Sequence, residues 1–215
     1  LAVMQATEDR NAEALATVDR FLAETKSTKP EQLAFRAGLL ANLERYDEAA
    51  TAFKALVAAN PDDKRLLMNA AASLQSAEKE AEATAMLEQA YNRGMLTERR
   101  ELRALYVSYI NGDRYKDAIK VIEDGEAKGV LQASPELAAD LMVVANTAYF
   151  ADDEATAVAL YTRAGPMAAD GESYLNLAKI LSNQGKLAEA KSAAQKALDK
   201  GLKRPEEARR ILSQR

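Results

Sequence analysis

The 215-residue sequence has no cysteine, histidine or tryptophan, and only nine glycines and five prolines. Zinc sites built from Cys and His are thereby excluded, as is any Ser–His or Cys–His nucleophile pair. The missing thiols leave the redox compartment open, because a chain without cysteine tolerates either. No uninterrupted apolar run approaches the about 20 residues that a membrane-spanning helix needs. The opening LAVMQATE (1–8) has neither a basic start nor a cleavage pattern, so no export signal is read there. What is present is an alanine-rich chain, 48% apolar, with few backbone breakers. That composition suits close-packed helices better than a sheet. The net charge of −4 argues against wholesale nucleic-acid binding. It is unevenly spread: residues 1–170 carry 19 Lys+Arg against 28 Asp+Glu, and residues 171–215 carry 10 against 5.

A repeat organises the chain. Ala49, Ala83, Ala118, Ala157 and Ala190 lie 34, 35, 39 and 33 residues apart. Four residues after each comes Phe53, Leu87, Ile122, Tyr161 or Ala194, and three further on Leu56, Ala90, Gly125, Ala164 or Ala197. Upstream of each anchor runs a second series: Leu33/Ala37/Leu40, Leu67/Ala71/Leu74, Leu102/Tyr106/Tyr109, Leu141/Ala145/Ala148 and Tyr174/Ala178/Leu181. This i, i+4, i+7 spacing gives one buried stripe per helix and two amphipathic helices per unit. Alanine recurs because helices crossing at about 8–10 Å leave no room for a large side chain at the contact. Asn111-Gly112 and Gln184-Gly185 are expected to turn a first helix into a second, and Gly94, Gly129 and Gly201 to end second helices. Asn60-Pro61, Ser134-Pro135 and Arg204-Pro205 are expected to start the next helix, with proline at or near its first turn.

Residues that carry chemistry are sparse. Asp152-Asp153-Glu154 is the densest acidic cluster; its reading is a solvated turn with a helix N-cap, since it lacks the turn glycine of a calcium loop. Asp62-Asp63 reads the same way. Arg99, Arg100 and Arg103 group at a helix start, either as a clamp for an anion or, favoured, as a solvated face. There is no glycine-rich phosphate loop and no nucleophile elbow, so an enzyme is not expected.

Helical pairs spaced by about 34 residues, with Tyr46, Ala49, Phe53 and Pro61 in ERYDEAATAFKALVAANPDD (44–63), closely resemble the tetratricopeptide repeat family. The resemblance covers about residues 10–201. It implies an all-α fold: a right-handed α-solenoid of helix-turn-helix repeats running through residues 1–215. The units are a partial repeat at 1–29, repeats at 30–62, 63–97, 98–134, 135–170 and 171–203, and a terminal helix at 204–215. The partial repeat leads us to expect a piece of a longer protein. Arg36 departs from the pattern, standing where leucine is normally buried, and is expected to turn its charge outward along its aliphatic stem. Tyr106 departs too, replacing a small residue.

In this family first helices line a concave groove. Carried over, the lining is Met68, Ala72 and Gln75; Arg103, Val107 and Asn111; Met142, Asn146 and Tyr149; and Leu175, Lys179 and Asn183. Such a mixture of apolar and amide groups suits an extended or helical peptide. The carboxylate clamp known in some members would fall on Ala34, Gly38, Asn69, Arg100 and Ala104, so that role is rejected.

The ordered phrases MLEQAYNRGMLTERRELRAL (86–105), AIKVIEDGEAKGVL (118–131), RAGPMAADGESYLNLAKIL (163–181) and AQKALDKGLKRPEEARRIL (194–212) are most similar to the tetratricopeptide proteins found alongside TonB, ExbB and ExbD in Gram-negative bacteria. That resemblance implies a periplasmic, cofactor-free scaffold acting through protein contacts, with components of that system among its partners. The alternative is a structural segment of a longer solenoid in polysaccharide, pilus or outer-membrane assembly.

Overall fold

The structure, a computed structural model, describes residues 1–214; within them the chain is helical and contains no strand. The helices are α1 (Ala2–Thr7), α2 (Asn11–Thr25), α3 (Pro30–Asn42), α4 (Tyr46–Ala59), α5 (Lys64–Ser76), α6 (Glu80–Asn92) and α7 (Arg99–Asn111). They continue as α8 (Tyr115–Ala127), α9 (Pro135–Phe150), α10 (Glu154–Met167), α11 (Glu172–Asn183), α12 (Leu187–Lys200) and α13 (Glu206–Ser213). Each span expected from the repeat holds one helical pair, and 205–214 holds α13. The chain divides into two compact units, Leu1–Ser108 and Tyr109–Arg215. In the first, α1 to α6 pack each on the next; in the second, α8 to α13 do so, and α13 also reaches α11. This is the α-solenoid arrangement of stacked helical hairpins.

The alanine anchors explain the stacking. Ala49, Ala83, Ala118, Ala157 and Ala190 are all 0% exposed. The residues four and seven positions on are buried as well, from Phe53 and Leu56 to Ala194 and Ala197. In four of these pairs, α3 with α4, α5 with α6, α9 with α10 and α11 with α12, the packed helices thus carry a methyl group where a longer side chain would hold them apart.

The turns within the pairs share a device. Asp9, Glu44, Glu78, Asp113, Asp152 and Gly185 all have left-handed φ values, between 57° and 74°. The next residue's N–H then closes onto a carbonyl five residues back, as from Arg45 to Leu40 O at 2.9 Å and from Lys186 to Leu181 O at 2.9 Å. The expected turn after Asn111 is present, but its left-handed residue is Asp113, and Gly112 leaves its permissiveness unused. Gly94, Gly129 and Gly201 do take positive φ after second helices.

The expected helix starts are corrected once. Pro135 opens α9 and Pro205 caps α13, but Pro61 lies outside α5. Asp63 caps α5 instead, accepting from Leu66 N at 3.1 Å, while Asp62 pairs with Arg93. The 39-residue spacing is taken up by a 16-residue α9 and by the preceding loop. In that loop Leu131 is buried, and its N–H bonds Gly125 O at 3.0 Å.

Two polar arrangements stand out, one half-buried and one buried. Arg36 does turn outward, its Nε donating to Asp19 Oδ1 at 2.6 Å. Glu101 has a side chain only 2% exposed and accepts from Thr97 N at 2.8 Å, Glu98 N at 3.0 Å and Lys64 Nζ at 2.8 Å. Burial pushes its carboxyl up, but the Lys64 ammonium and the two N–H groups together outweigh this and hold it below the ordinary value.

Candidate partner-binding surface

The sequence of α9, PELAADLMVVANTAYF, is mostly apolar, with no basic residue and only Glu136 and Asp140 as charges. A helix of that kind is expected to be enclosed. It is not. Leu137, Leu141, Val144, Ala145 and Ala148 are buried, yet Val143 is 48% and Phe150 82% exposed. Ala139, Val143, Asn146 and Phe150 follow one another at helical spacing along the solvent side. Met142 and Tyr149 flank that stripe, half-buried, and the Tyr149 and Phe150 rings meet edge to face at 5.8 Å.

One polar group is fixed in the middle of the stripe. The hydroxyl of Tyr161, on α10, donates to Asn146 Oδ1. Burial pushes the Tyr161 phenol up to about 12, Asn176 on α11 opposes that shift through a hydrogen bond, and Tyr149 adds to it. The phenol therefore stays protonated at all ordinary pH and remains a donor. With Oδ1 engaged, the Asn146 amide keeps its NH2 as a donor for a ligand's carbonyl. An apolar strip with one oriented amide can meet apolar side chains and a backbone carbonyl at once.

The residues carried over from the family geometry can now be placed. In the first unit, Met68, Gln75 and Val107 are half-buried and Arg103 is exposed. In the second, Asn111, Asn146 and Asn183 are exposed, and Met142, Tyr149 and Lys179 are half-buried. Of the twelve, Ala72 is exposed as well, but Leu175 is 3% exposed and packed in the core, which removes it from the lining; the other eleven are not buried. Within the second unit, α9 brings Met142, Asn146 and Tyr149 onto one face. Lys179 is engaged elsewhere, in an ion pair with Glu207 of α13, and its ammonium holds that carboxyl below the ordinary value. Val143 and Phe150 went unnoticed in the sequence, although they are the exposed large apolar side chains of α9. The signal was the high apolar content of α9, more than one buried stripe can use.

The acidic cluster is a cap. Asp153 accepts from Thr156 N at 3.2 Å, Thr156 Oγ1 at 2.9 Å and Tyr115 Oη at 3.0 Å. The Thr156 hydroxyl and N–H, and then the Tyr115 hydroxyl, hold its carboxyl below the ordinary value. Among the described residues no three His, Cys, Asp or Glu side chains are grouped to hold a metal, and no helix is long and apolar enough to cross a membrane. Of the three arginines, Arg100 pairs with Glu98 at 3.1 Å on an open surface.

Residues 171–199, which span α11 and most of α12, match the tetratricopeptide repeat family. No curated protein matches the sequence. Among solved structures, a tetratricopeptide repeat protein from Parabacteroides merdae is 16% identical, with 99% of this chain and 80% of that one aligned at a TM-score of 0.53. YrrB, described as a TPR protein with an unusual peptide-binding site, is 15% identical over 92% of this chain and 98% of its own, at 0.62. MamA from Desulfovibrio magneticus is 19% identical over 77% and 90%, at 0.60. Identities this low speak for the fold alone. That fold is the tetratricopeptide one, and residues 171–199 carry a recognisable copy of the repeat.

Proposed function

We propose that the protein is a non-enzymatic scaffold that binds a peptide or protein segment on the first-helix side of its repeats. The observation that carries this reading is the solvent-facing apolar stripe of α9, with Val143 and Phe150 exposed around an amide fixed by Tyr161. Leaving large apolar side chains in water forgoes about 1.5–3 kcal/mol each, a cost that a bound partner recovers. Phe150 and Val143 then anchor apolar side chains of the ligand, and Asn146 registers its backbone.

The finer reading makes the scaffold a periplasmic accessory of a TonB–ExbB–ExbD type transport system. Its support is the ordered set of phrases between residues 86 and 212 that resemble proteins of that setting. Titration calorimetry with the soluble segments of TonB, ExbB and ExbD tests it. A saturable heat with one of them, lowered about tenfold in affinity by Phe150→Asp, is expected. Absence of binding to all three removes the specific partner, and binding indifferent to Phe150→Asp removes the surface.

A further inference from the structure

The five full hairpins are filled differently at the third residue after the alanine anchor. The middle three carry Met86, Val121 and Leu160, whereas the first and last carry Ala52 and Ala193. Val121 and Leu160 are buried, and Met86 packs partly buried against the core around Leu66 and Ala70. Where only a methyl group stands, a groove stays open on the second-helix side. In the last hairpin it measures about 570 Å³ and lies between α10, α11 and α12. In the first it measures about 480 Å³ and uses the same repeat positions, with Leu33, Arg36 and Ala52 where the last has Tyr174, Leu177 and Ala193.

The two grooves differ in their floor. Arg36 in the first is committed to Asp19. Its counterpart Leu177 leaves the last groove apolar across Leu177, Leu181 and Val158. Lys196 lines the groove and Lys200 stands beside it; their ammonium groups lie 5.7 and 5.9 Å from the Tyr174 ring centroid. Lys200 also donates to Gly165 O at 2.6 Å and Pro166 O at 2.8 Å, which fixes its charge there. Glu189 is the single acidic lining residue, and residues 171–215 carry 10 Lys+Arg against 5 Asp+Glu.

We propose that this groove docks an acidic peptide segment of a partner protein, which inserts a leucine- or methionine-sized side chain. Three sister hairpins show the occupant's size, because each fills the same position with its own aliphatic side chain. Lys196 and Lys200 supply its charge preference: a carboxylate beside the inserted side chain meets two ammonium groups. The site uses none of the residues of the α9 stripe and stands apart from that reading.

Selection of random 12-residue phage-displayed peptides on the whole chain tests this, run in parallel on Ala193→Met and Lys196→Glu variants. Ala193→Met restores the filling seen at Met86; Lys196 is exposed, so its replacement leaves packing intact. We expect wild-type pools rich in Leu or Met flanked by Asp or Glu. Their clones should bind Ala193→Met at least about tenfold more weakly, the worth of burying one such side chain. On Lys196→Glu the acidic preference should disappear. Pools that bind Ala193→Met equally well, that favour basic residues, or that are lost only on Phe150→Asp overturn the proposal. Should Ala193→Met fail to fold, an acidic preference unchanged on Lys196→Glu overturns it alone.

Discussion

The ring of Tyr174 stands where a side chain on Gly165 would have to go: a Cβ built there falls 2.7 Å from Tyr174 Cζ and 2.8 Å from Cδ1. The contact joins α10 to α11 and sets the wall of the groove that Lys196 borders. A glycine in a helix is ordinarily a weakness. Here it allows an aromatic ring to lie directly on the helix backbone.

Replacing Gly165 by alanine therefore forces the ring or the helix to shift. We expect a loss of about 1–3 kcal/mol, the range for overpacked cores. Gly38, inside α3, is the control, because a Cβ there meets nothing within 4 Å. Gly38→Ala should gain about 0.5–1 kcal/mol through helix propensity alone. Urea denaturation of the two variants beside the parent checks both signs.

The left-handed turns make a second pair of opposite signs. Gly185 has φ +74°, so Gly185→Ala should cost about 1 kcal/mol. Glu44 holds φ 59° with a side chain attached, and Glu44→Gly should be stabilising by a few tenths of a kcal/mol to about 1 kcal/mol. Thermal unfolding curves of the two variants should move in opposite directions.

Glu101 predicts an acid sensitivity. Its folded pKa is depressed, so its contribution is complete above the unfolded carboxyl value of about 4.3. It is lost as pH falls through the lower folded value. Glu101→Gln should cost about 1.5–3 kcal/mol at neutral pH, as for hydrogen bonds to a charged group. The gap to the parent should narrow steadily below pH 4. Chemical denaturation at pH 7, 4 and 2.5 measures it; a gap independent of pH contradicts the role.

Asp153 caps α10 and also anchors Tyr115. Asp153→Ala should lower the melting temperature by about 2–4 °C, the effect of a lost N-cap in a chain of this size. Asp153→Asn, which keeps the accepting oxygen, should retain most of it. Calcium at millimolar concentration should leave all three melting curves unchanged if the cluster is purely a cap.

Much of the fold was legible because its contacts are local and periodic. The anchors and the residues four and seven positions on follow from spacing alone, since a single helical stripe dictates each. Pro61 misled because a proline two residues ahead of an aspartate cap suits the turn as well as the helix. Asn111-Gly112 marked the turn, but not which residue takes the left-handed φ, because the acidic Asp113 accepts it once the closing hydrogen bond is made. Glu101 was hidden among three arginines: its burial depends on Lys64, in the preceding hairpin, and no local pattern announces that partner. Val143 and Phe150 escaped because a fixed set of groove positions was carried over, whereas the exposed side of α9 is decided by which of its many apolar faces the neighbouring helices cover.

The claim on which the account turns is that the α9 stripe receives a partner. Site-specific photocrosslinking tests it most directly: a benzoylphenylalanine placed at Phe150, and another at the exposed Lys120 of α8, in cells that make the protein. The account predicts a discrete heterologous adduct from position 150 that is absent from position 120 and is lost when Val143→Asp is added. Adducts shared by both positions, or none from position 150 with the protein folded, would contradict it.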